Sequence, residues 1–325
     1  MTERRPTAEW IVPAGLVAVC VLLVVGSLRS ALFAQQTVSG LANGGIYASL
    51  AVALVLIYRA TEVINFAQGA LATFATYVAW QLMQWGLSYW AAFACTLAIA
   101  FVGGFAVELV AIRPVERRGS VLTVVIAAIG LLILVEGSIG WIWGNDVKFM
   151  PTPFPAHIYT VGGVAFSRQD LSTIAISLLA VIVLWGFFRF TKLGLAMRAA
   201  AVRPDAARLV GVRVSWMLSL GWGLAAALGA VAGLMAAASP SVLLQPSMMD
   251  GILIYAFAAA VVGGLESAFG AVVAALMIGV LLNLVTSYVH FVGPALQLPV
   301  AFVVMLVVLL VKPSGLFGRT RVRRV

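Results

Sequence analysis

Residues 38–58 read VSGLANGGIYASLAVALVLIY, and this stretch contains no charged side chain. A helix of about 20 apolar residues is long enough to cross the hydrocarbon core of a lipid bilayer. Gly40, Gly44 and Ala48 recur every four residues, so they form one stripe along such a helix. A stripe of small residues lets a second helix approach closely within lipid. We therefore predict a membrane-spanning helix that packs against a neighbouring helix through these three positions.

The rest of the chain has the same character. Of its 325 residues, 63% are hydrophobic and only 10% are charged, and the mean hydropathy is +1.10. Soluble globular domains carry about 25% charged residues, so this composition excludes a soluble enzyme, a secreted disulfide scaffold and a disordered chain. We predict an all-α fold, a polytopic membrane helix bundle with 8–10 transmembrane helices. The candidate spans cover residues 11–28, 38–58, 67–83, 89–112, 121–143, 171–188, 216–238, 252–265, 271–289 and 298–311. The short run 252–265 fits either a span or a re-entrant or broken helix.

The basic residues indicate how the chain is oriented, because cytoplasmic loops retain Lys and Arg. With both termini in the cytoplasm and ten alternating spans, 17 of the 20 basic residues lie on the cytoplasmic side, and only Arg29, Lys148 and Arg168 lie outside. We therefore predict that both termini are cytoplasmic and that the net charge of +9 is an orientation signal. No nucleic-acid partner is expected, since no basic segment carries the interleaved aromatic residues that stack on bases.

The sequence lacks the residue patterns of nucleotide-binding and catalytic sites. No lysine stands in the pattern G-x-x-x-x-G-K-[ST]. The two histidines, His157 and His290, lie far apart in predicted loops, so they form no His-Glu-x-x-His zinc site. We predict a transport subunit rather than an enzyme, with no cofactor and no metal. Cys20 and Cys95 lie in apolar runs, and we expect them to be buried, inert thiols.

Four polar residues in or beside the spans are candidates for a transport pathway: Asn43, Asn65, Gln68 and Glu136. Glu136 lies within the run 121–143 without an obvious local partner, and an ionisable group inside a span is a functional hypothesis by default. Asn65 and Gln68 stand just before the third run, where amides suit a bent segment whose free backbone groups need partners. Two interpretations remain open: these side chains line the pathway, or they hydrogen-bond to neighbouring helices.

Two further features each admit two interpretations. Glu108, near the end of the fourth run, either pairs with Arg113 or extends to the membrane surface. The loop 144–170 contains three prolines, which discourage a helix, so we expect an ordered extracytoplasmic cap or a short hairpin. Such a loop either receives a partner protein or serves as a connector.

The stretch 191–214, predicted to be cytoplasmic, contains the signals of a short helix. Pro204 fits its first turn, Asp205 complements the positive helix N-terminus, and Gly211 ends it. The apolar residues that fall on one face of this helix are Val202, Ala206, Leu209 and Val210. This amphipathic pattern predicts a helix that lies under the membrane, either resting on anionic lipid or docking a cytoplasmic partner that drives conformational change.

Five segments of the chain carry a family resemblance: NGGIYA (43–48), VINFAQG (63–69), GLAMRA (194–199), AFAAAVVGGL (256–265) and KPSGLFG (312–318). Through them, and through Asp205, Ala207, Gly211 and the pair 270–271, the chain resembles permease subunits of ATP-binding-cassette (ABC) importers for branched-chain amino acids, of the LivH type. The resemblance covers nearly the whole chain. Two positions depart from the pattern. Gln68 stands where the family often has histidine, and Arg198-Ala199-Ala200 stands where the wider importer loop begins Glu-Ala-Ala.

The resemblance implies a single ABC-importer permease domain over residues 1–325, with an ATPase-coupling segment at about 191–214. The candidate coupling residues are Arg198, Arg203, Asp205, Arg208 and Gly211, and Gly263 and Gly264 join Gly40, Gly44 and Ala48 as candidates for helix packing. The implied partners are a second, homologous permease subunit, two cytoplasmic ATPase subunits that hydrolyse ATP, and an extracytoplasmic substrate-binding protein. The implied location is the bacterial cell (inner) membrane, as a multi-pass protein within the lipid bilayer.

Alternatives to an importer of branched-chain or other hydrophobic amino acids remain open. One is an ABC permease for urea or short amides. Another is an ion-gradient-driven secondary transporter or channel, which predicts a buried ion site for which Glu136 is the best candidate. A third is a non-transporting membrane scaffold, which leaves the polar cluster at residues 65–69 and the docking helix without a purpose.

Overall fold

The structure, a computed structural model, describes residues 31–154, 157–161, 164–239, 242–289 and 291–318. The predicted span at 11–28, with Cys20, lies outside the described residues. The helices are α1 (Ala31–Thr61), α2 (Gln68–Gln84), α3 (Tyr89–Val107), a π-helical turn (Glu108–Ile112), α4 (Arg113–Arg118), α5 (Val121–Trp143), α6 (Arg168–Phe190), α7 (Lys192–Val202), α8 (Pro204–Leu209), α9 (Val214–Ala237), α10 (Asp250–Gly263), α11 (Ala268–Tyr288), a 3₁₀ turn (Pro294–Leu296) and α12 (Gln297–Val311). Two short antiparallel strands, β1 (Ile158–Val161) and β2 (Val164–Ser167), lie between α5 and α6.

Two helices form the centre of the bundle. α1 packs against α6, α9, α10 and α11, and α9 also packs against α2 and α3. The most apolar windows of α1 and α9 are each 83% buried, whereas that of α6 is only 17% buried. A helix that is apolar on all sides is either covered by other helices or faces lipid. With six helical segments long and apolar enough to cross a membrane, the prediction of a polytopic helical membrane bundle is confirmed.

The segments predicted to be cytoplasmic lie together at one end of the bundle. Arg113 Nη2 donates to the carbonyl of Ser215 across 2.9 Å, which joins α4 to the start of α9. Arg59 and Arg198 line one cavity together with Ala268, the first residue of α11. The tail reaches the same end, because the backbone N–H groups of residues 316 and 317 donate to the carbonyls of residues 262 and 263. We call this end, marked by Arg59, Arg113 and Arg198, the basic end.

Within the described residues, nine segments of the chain run from one end of the bundle to the other. Two of these segments are only partly helical. One combines residues 62–67 with α2, and the other combines residues 242–249 with α10. At the far end Leu244 exchanges two backbone hydrogen bonds with Lys148, of 2.9 and 3.1 Å. Since α10 ends beside the tail at the basic end, the run 252–265 belongs to a crossing and is not re-entrant. A first span at 11–28 would bring the count to ten.

α1 and α11 approach each other through glycine. A Cβ added to Gly40 would lie 2.6 Å from the Cα of Val280, and one added to Gly44 would lie 2.8 Å from the Cα of Leu276. Ala48, one turn further along α1, is fully buried. At such distances only a residue without a side chain fits, and the close backbones gain dispersion contacts along the whole crossing.

Glu108 and Arg113 form an ion pair inside the bundle. Arg113 Nη2 donates to Glu108 Oε2 across 2.8 Å and Nε donates to Oε1 across 3.1 Å. On an α-helix, residues five apart point about 140° away from each other. The π-helical turn between them removes that difference and brings both side chains to the same side. Of the two interpretations of Glu108, pairing with Arg113 is therefore confirmed.

The loop 144–170 forms the short hairpin that its prolines allowed. Ile158 lies opposite Ser167 and Tyr159 opposite Phe166. Thr152 Oγ1 donates to Gln169 Oε1 across 3.0 Å, which ties the loop to the start of α6. The hairpin therefore covers the end of the bundle opposite the basic end.

Cys95 does not lie in the core. Its thiol is free and exposed on α3, on the side that also presents Ile99 and Val102. The prediction of a buried thiol is wrong for Cys95, because an apolar run in a membrane bundle has an outer, lipid-facing side as well as an inner one.

Candidate functional site

The non-helical segment 62–67 lies inside the bundle. Val63 is 7% exposed and Asn65 is 2% exposed. The segment leads into Gln68, the first residue of α2, whose Nε2 donates to the carbonyl of Ala225 across 2.8 Å. Ala225 lies near the middle of α9, so α2 begins at about half the depth of the bundle. Irregular backbone at that depth is tolerated only where protein covers it or where it lines a cavity.

The amides of Asn65 and Gln68 satisfy the polar groups of this segment. Asn65 Nδ2 donates to Gln68 Oε1 across 3.3 Å, and Asn65 Oδ1 accepts from the backbone N–H of Ala67 across 3.0 Å. Gly229 provides the space for Gln68, because a Cβ there would lie 2.7 Å from Gln68 Nε2. Both amides are used within the protein, and this geometry supports the inter-helix bonding interpretation for the pair.

α10 also begins deep in the bundle, beside the start of α2. A Cβ added to Gly69 would lie 3.2 Å from Leu253 Cδ2 and 3.4 Å from the carbonyl oxygen of Met249. From this point α2 runs away from the basic end and α10 runs toward it. A helix N-terminus carries a partial positive charge, so two such ends lie close together inside the bundle. Broken helices whose ends meet near mid-membrane are a recurring architecture in transporters.

Glu136 and Asp250 meet next to this junction. Their carboxyl groups are close neighbours, which brings α5 beside the first residue of α10. Glu136 is half-buried and Asp250 is exposed, so the pair faces open space. Glu136 has no partner nearby in the sequence, as expected, and Asp250, the group beside it, stands far away in the sequence.

Asp250 and Asn283 are two further polar residues of the bundle that are not among the candidates predicted from the sequence. Asp250 stands directly before the shortest apolar run, and Asn283 lies inside the run 271–289, so an acid or amide bordering or interrupting an apolar run was the available signal. Asn43 Nδ2 donates to Asn283 Oδ1 across 3.2 Å, which places Asn43 on the contact between α1 and α11. The structure thus brings Asn65, Gln68 and the Glu136–Asp250 pair to one region and engages Asn43 in a separate helix contact.

The exposure of the carboxyl pair predicts that water reaches it. With Cys20 and Cys95 replaced by alanine, we expect Asp250→Cys to react with a membrane-impermeant maleimide, because Asp250 is exposed beside a second polar group. The matched control is Val303→Cys in the middle of α12, which is 59% exposed but sits among apolar side chains and should not be labelled. Labelling is measured by mass shift in membranes. Equal labelling at the two positions would contradict an aqueous pathway at Asp250.

The segment 191–214 folds into two helices rather than one. Thr191 Oγ1 accepts from the backbone N–H of Gly194 across 2.9 Å and caps α7. The chain breaks at Arg203 and restarts with Pro204 in the first turn of α8, where a missing N–H costs nothing. Gly211 then ends the pair of helices with a φ of +85°, a conformation that glycine adopts without strain.

The apolar face predicted for this segment does not pack against the bundle, which is consistent with either predicted role, contact with lipid or with a partner. Val202, Leu209 and Val210 are 73%, 90% and 78% exposed, and Ala206 is exposed too. The buried residue is Ala207, which packs with Ala200 and Val214. The two helices pack against the bundle through small alanine side chains, and their larger apolar side chains therefore point away from it.

The candidate coupling residues lie on this outward surface. Arg208 Nη1 donates to Asp205 Oδ1 across 2.9 Å, and both side chains are exposed, at 64% and 92%. Arg198 and Arg203 are exposed as well. Clustered, exposed apolar and charged side chains at a solvent-facing end mark a site of protein or membrane contact. We call the surface of Val202, Asp205, Arg208, Leu209 and Val210 the outer face of the α7–α8 segment.

The family described as "Branched-chain amino acid transport system / permease component" matches residues 36–309. Three relatives are similar along nearly their whole length. The high-affinity branched-chain amino acid transport system permease protein LivH of Salmonella typhimurium (strain LT2) is 30% identical over 307 residues, which cover 90% of this chain and 98% of that protein. LivH of Escherichia coli K12 has the same identity and coverage. BraD of Pseudomonas aeruginosa is 30% identical over 306 residues, with 90% and 98% coverage.

Proposed function

Because the chain belongs to the family of permease components of branched-chain amino acid transport systems, we propose that it forms half of the membrane pathway of an ABC importer for branched-chain or other hydrophobic amino acids. The observation that carries this proposal is the family match over residues 36–309, joined to relatives that the chain covers over 98% of their length. The other half of the pathway is a second, homologous permease subunit. An extracytoplasmic substrate-binding protein delivers the amino acid.

The pathway lies along α2, α5 and α10. These three helices meet at the start of α2 and α10, where Glu136 and Asp250 face open space. The outward side of α5 also presents Ile126, Ile129 and Ile133, each at least 44% exposed. An apolar surface beside a polar pair is suited to an amino acid, whose side chain needs apolar contacts and whose charged groups need polar ones.

Two cytoplasmic ATPase subunits supply the energy, and one of them docks on the outer face of the α7–α8 segment. A docking surface needs exposed apolar side chains to bury, and Leu209 is 90% exposed here. α7 packs against α6, α9 and the end of α1. A displacement of this segment is therefore transmitted directly to the central helices. ATP binding on the partner chains then shifts the permease between outward-facing and inward-facing states, provided that the partners hold the two states with different affinity.

Uptake into proteoliposomes tests the proposed function. The chain is reconstituted with the permease, ATPase and binding-protein subunits, and radiolabelled leucine, urea and acetamide are offered in turn. We expect uptake of leucine that requires ATP and all subunits. Uptake that continues without ATP and stops with an ionophore would replace the importer by an ion-driven transporter. Uptake of urea or acetamide in place of leucine would identify short amides, and not amino acids, as the substrate class.

Leu209→Asp is the sharpest test of the docking surface. We expect it to reduce ATPase co-purification and ATP-driven uptake at least about tenfold, since a desolvated carboxylate at an apolar contact costs more than 1.4 kcal/mol. We expect the variant to fold normally, because the Leu209 side chain is 90% exposed. The control is Phe149→Asp, the same kind of change on a residue 78% exposed at the opposite end. ATPase recovery that falls equally in both variants would remove the docking role.

A further inference from the structure

A cavity of about 680 Å³ opens at the basic end, between α1, α6, α7, α9 and α11. Its volume is within the range of about 300–1,000 Å³ typical of ligand sites. The lining is apolar except for three arginines, Arg59, Arg189 and Arg198, and it contains no acidic residue. The cavity is separate from Glu136 and Asp250, neither of which lines it. It therefore requires its own explanation.

The apolar part of the cavity extends from the arginines into the bundle. On α1 the lining runs from Arg59 back to Val52, and on α6 it runs from Arg189 back to Leu178. With a rise of 1.5 Å per residue, these stretches are about 10 Å and about 16 Å long. A cavity that begins at a helix end and extends that far reaches from the membrane surface into the layer occupied by acyl chains.

The cavity opens sideways as well as at the basic end. Ile182 and Trp185 both line it and are each 60% exposed, and Phe269 on the opposite side is 70% exposed. In a bundle that spans a membrane, side chains exposed on the outside of a helix face lipid. Trp is enriched at the interface between lipid and water, which is where Trp185 lies, one turn before Arg189. A molecule can therefore enter this cavity directly from the bilayer.

The three arginines form no ion pair with another described residue. The two ion pairs there are Glu108–Arg113 and Asp205–Arg208, and no hydrogen bond to another described residue is made by the guanidinium groups of Arg59, Arg189 or Arg198. A guanidinium group presents five donors in a planar fork that matches phosphate oxygens. Basic pockets between membrane helices bind anionic lipid headgroups for this reason.

We propose that this cavity binds one anionic phospholipid. Its acyl chain lies against α1 and α6, and its phosphate lies beside Arg59, Arg189 and Arg198. The lipid also touches Met197 and Ala200 of α7, because both residues line the cavity. It thereby connects the α7–α8 segment to the central helix α1. The proposal depends on the membrane location of the chain and not on the identity of the transported substrate.

Lipid binding by charge variants tests the headgroup site. The full chain, purified in detergent, is titrated with phosphatidylglycerol and with phosphatidylcholine, and retained lipid is measured by native mass spectrometry. We expect the wild type to prefer phosphatidylglycerol. The triple variant R59Q/R189Q/R198Q should bind it about 100-fold more weakly, since each cation near an anionic headgroup contributes about fivefold. The control R213Q removes the same kind of charge at the basic end outside the cavity. Equal binding by the triple variant and R213Q overturns the proposal.

A second variant separates lipid from free phosphate and does not depend on the arginines. Val181→Trp fills the apolar part of the cavity and leaves all three arginines in place. We expect it to weaken phosphatidylglycerol binding at least about tenfold, as an acyl chain loses its contacts. Unchanged lipid binding in this variant would show that the arginines hold only a phosphate at the surface, which overturns the acyl-chain site.

Photo-crosslinking identifies the occupant in the assembled complex. Val272, on the α11 side of the cavity, is replaced by p-benzoylphenylalanine, and the complex is irradiated in phosphatidylglycerol-containing membranes. We expect an adduct with the mass of phosphatidylglycerol on this chain. A crosslink to residues 1–30 of the same chain, or to a partner protein, would assign the cavity to that segment or partner and overturn the lipid proposal.

Discussion

Replacing Arg113 with methionine should lower the free energy of unfolding by about 3–5 kcal/mol. The loss leaves the carboxylate of Glu108, which is 1% exposed, without its cation in the interior of the bundle. The hydroxyl of Ser219, the remaining donor, supplies a single hydrogen bond. The carbonyl of Ser215 loses the Arg113 donor as well and retains the Ser219 hydroxyl as a donor. The stability of the purified protein is measured by unfolding in SDS, followed by circular dichroism.

The double variant E108L/R113M provides the control. When both charges are replaced by apolar side chains of similar size, no charge remains buried, and removal of a whole buried pair is often nearly neutral. We therefore expect the double variant to be more stable than R113M alone. If R113M matched the wild type, or if the double variant lost as much as R113M, the pair would not be a stability determinant of the π-helical turn.

Replacing Gly40 with leucine should cost at least about 3 kcal/mol and abolish most of the yield of folded protein. Overpacked cores lose about 1–3 kcal/mol where side chains can move aside. Here the first added atom, Cβ, would lie 2.6 Å from the Cα of Val280, and a backbone cannot rotate away. α1 would have to separate from α11, and the hydrogen bond between Asn43 and Asn283 would stretch with it. Yield is measured by size-exclusion chromatography.

A second glycine supplies the matched control. Gly103 lies in the membrane helix α3, and a Cβ added there meets no atom within 4 Å. G103L therefore makes the same chemical change without a clash, and we expect normal yield. If G40L and G103L behaved alike, the stripe of Gly40, Gly44 and Ala48 would not form an essential helix contact.

Local patterns predicted well those properties that depend on a single stretch of chain. The run 121–143 matches the bounds of α5, because length and apolarity alone define a membrane helix. Pro204 and Gly211 also stand where helix geometry requires them, since their backbone preferences are intrinsic. The arginines predicted to be cytoplasmic lie together at the basic end, which agrees with the predicted orientation of the chain. Each of these conclusions needed no knowledge of what packs against the segment.

Predictions about which side of a helix is covered were less successful. Cys95 lies in an apolar run and was expected to be buried, yet it is exposed on α3. In lipid an outward apolar side chain carries no penalty, so hydrophobicity no longer distinguishes inside from outside. The apolar face of the α7–α8 segment, by contrast, was expected to contact lipid or a partner, and its exposure is consistent with that expectation.

By itself the sequence determined that this protein lies in a membrane and has an all-α fold. It also determined the approximate bounds of the helices and the resemblance to a permease family. All of these depend on local composition and on motifs of a few residues. Only the tertiary structure decided that α2 and α10 begin deep within the bundle, that Glu136 pairs with Asp250 and that Asn43 pairs with Asn283. Such contacts join residues as far as 240 positions apart. They follow from how whole helices pack, and no short stretch of sequence contains that information.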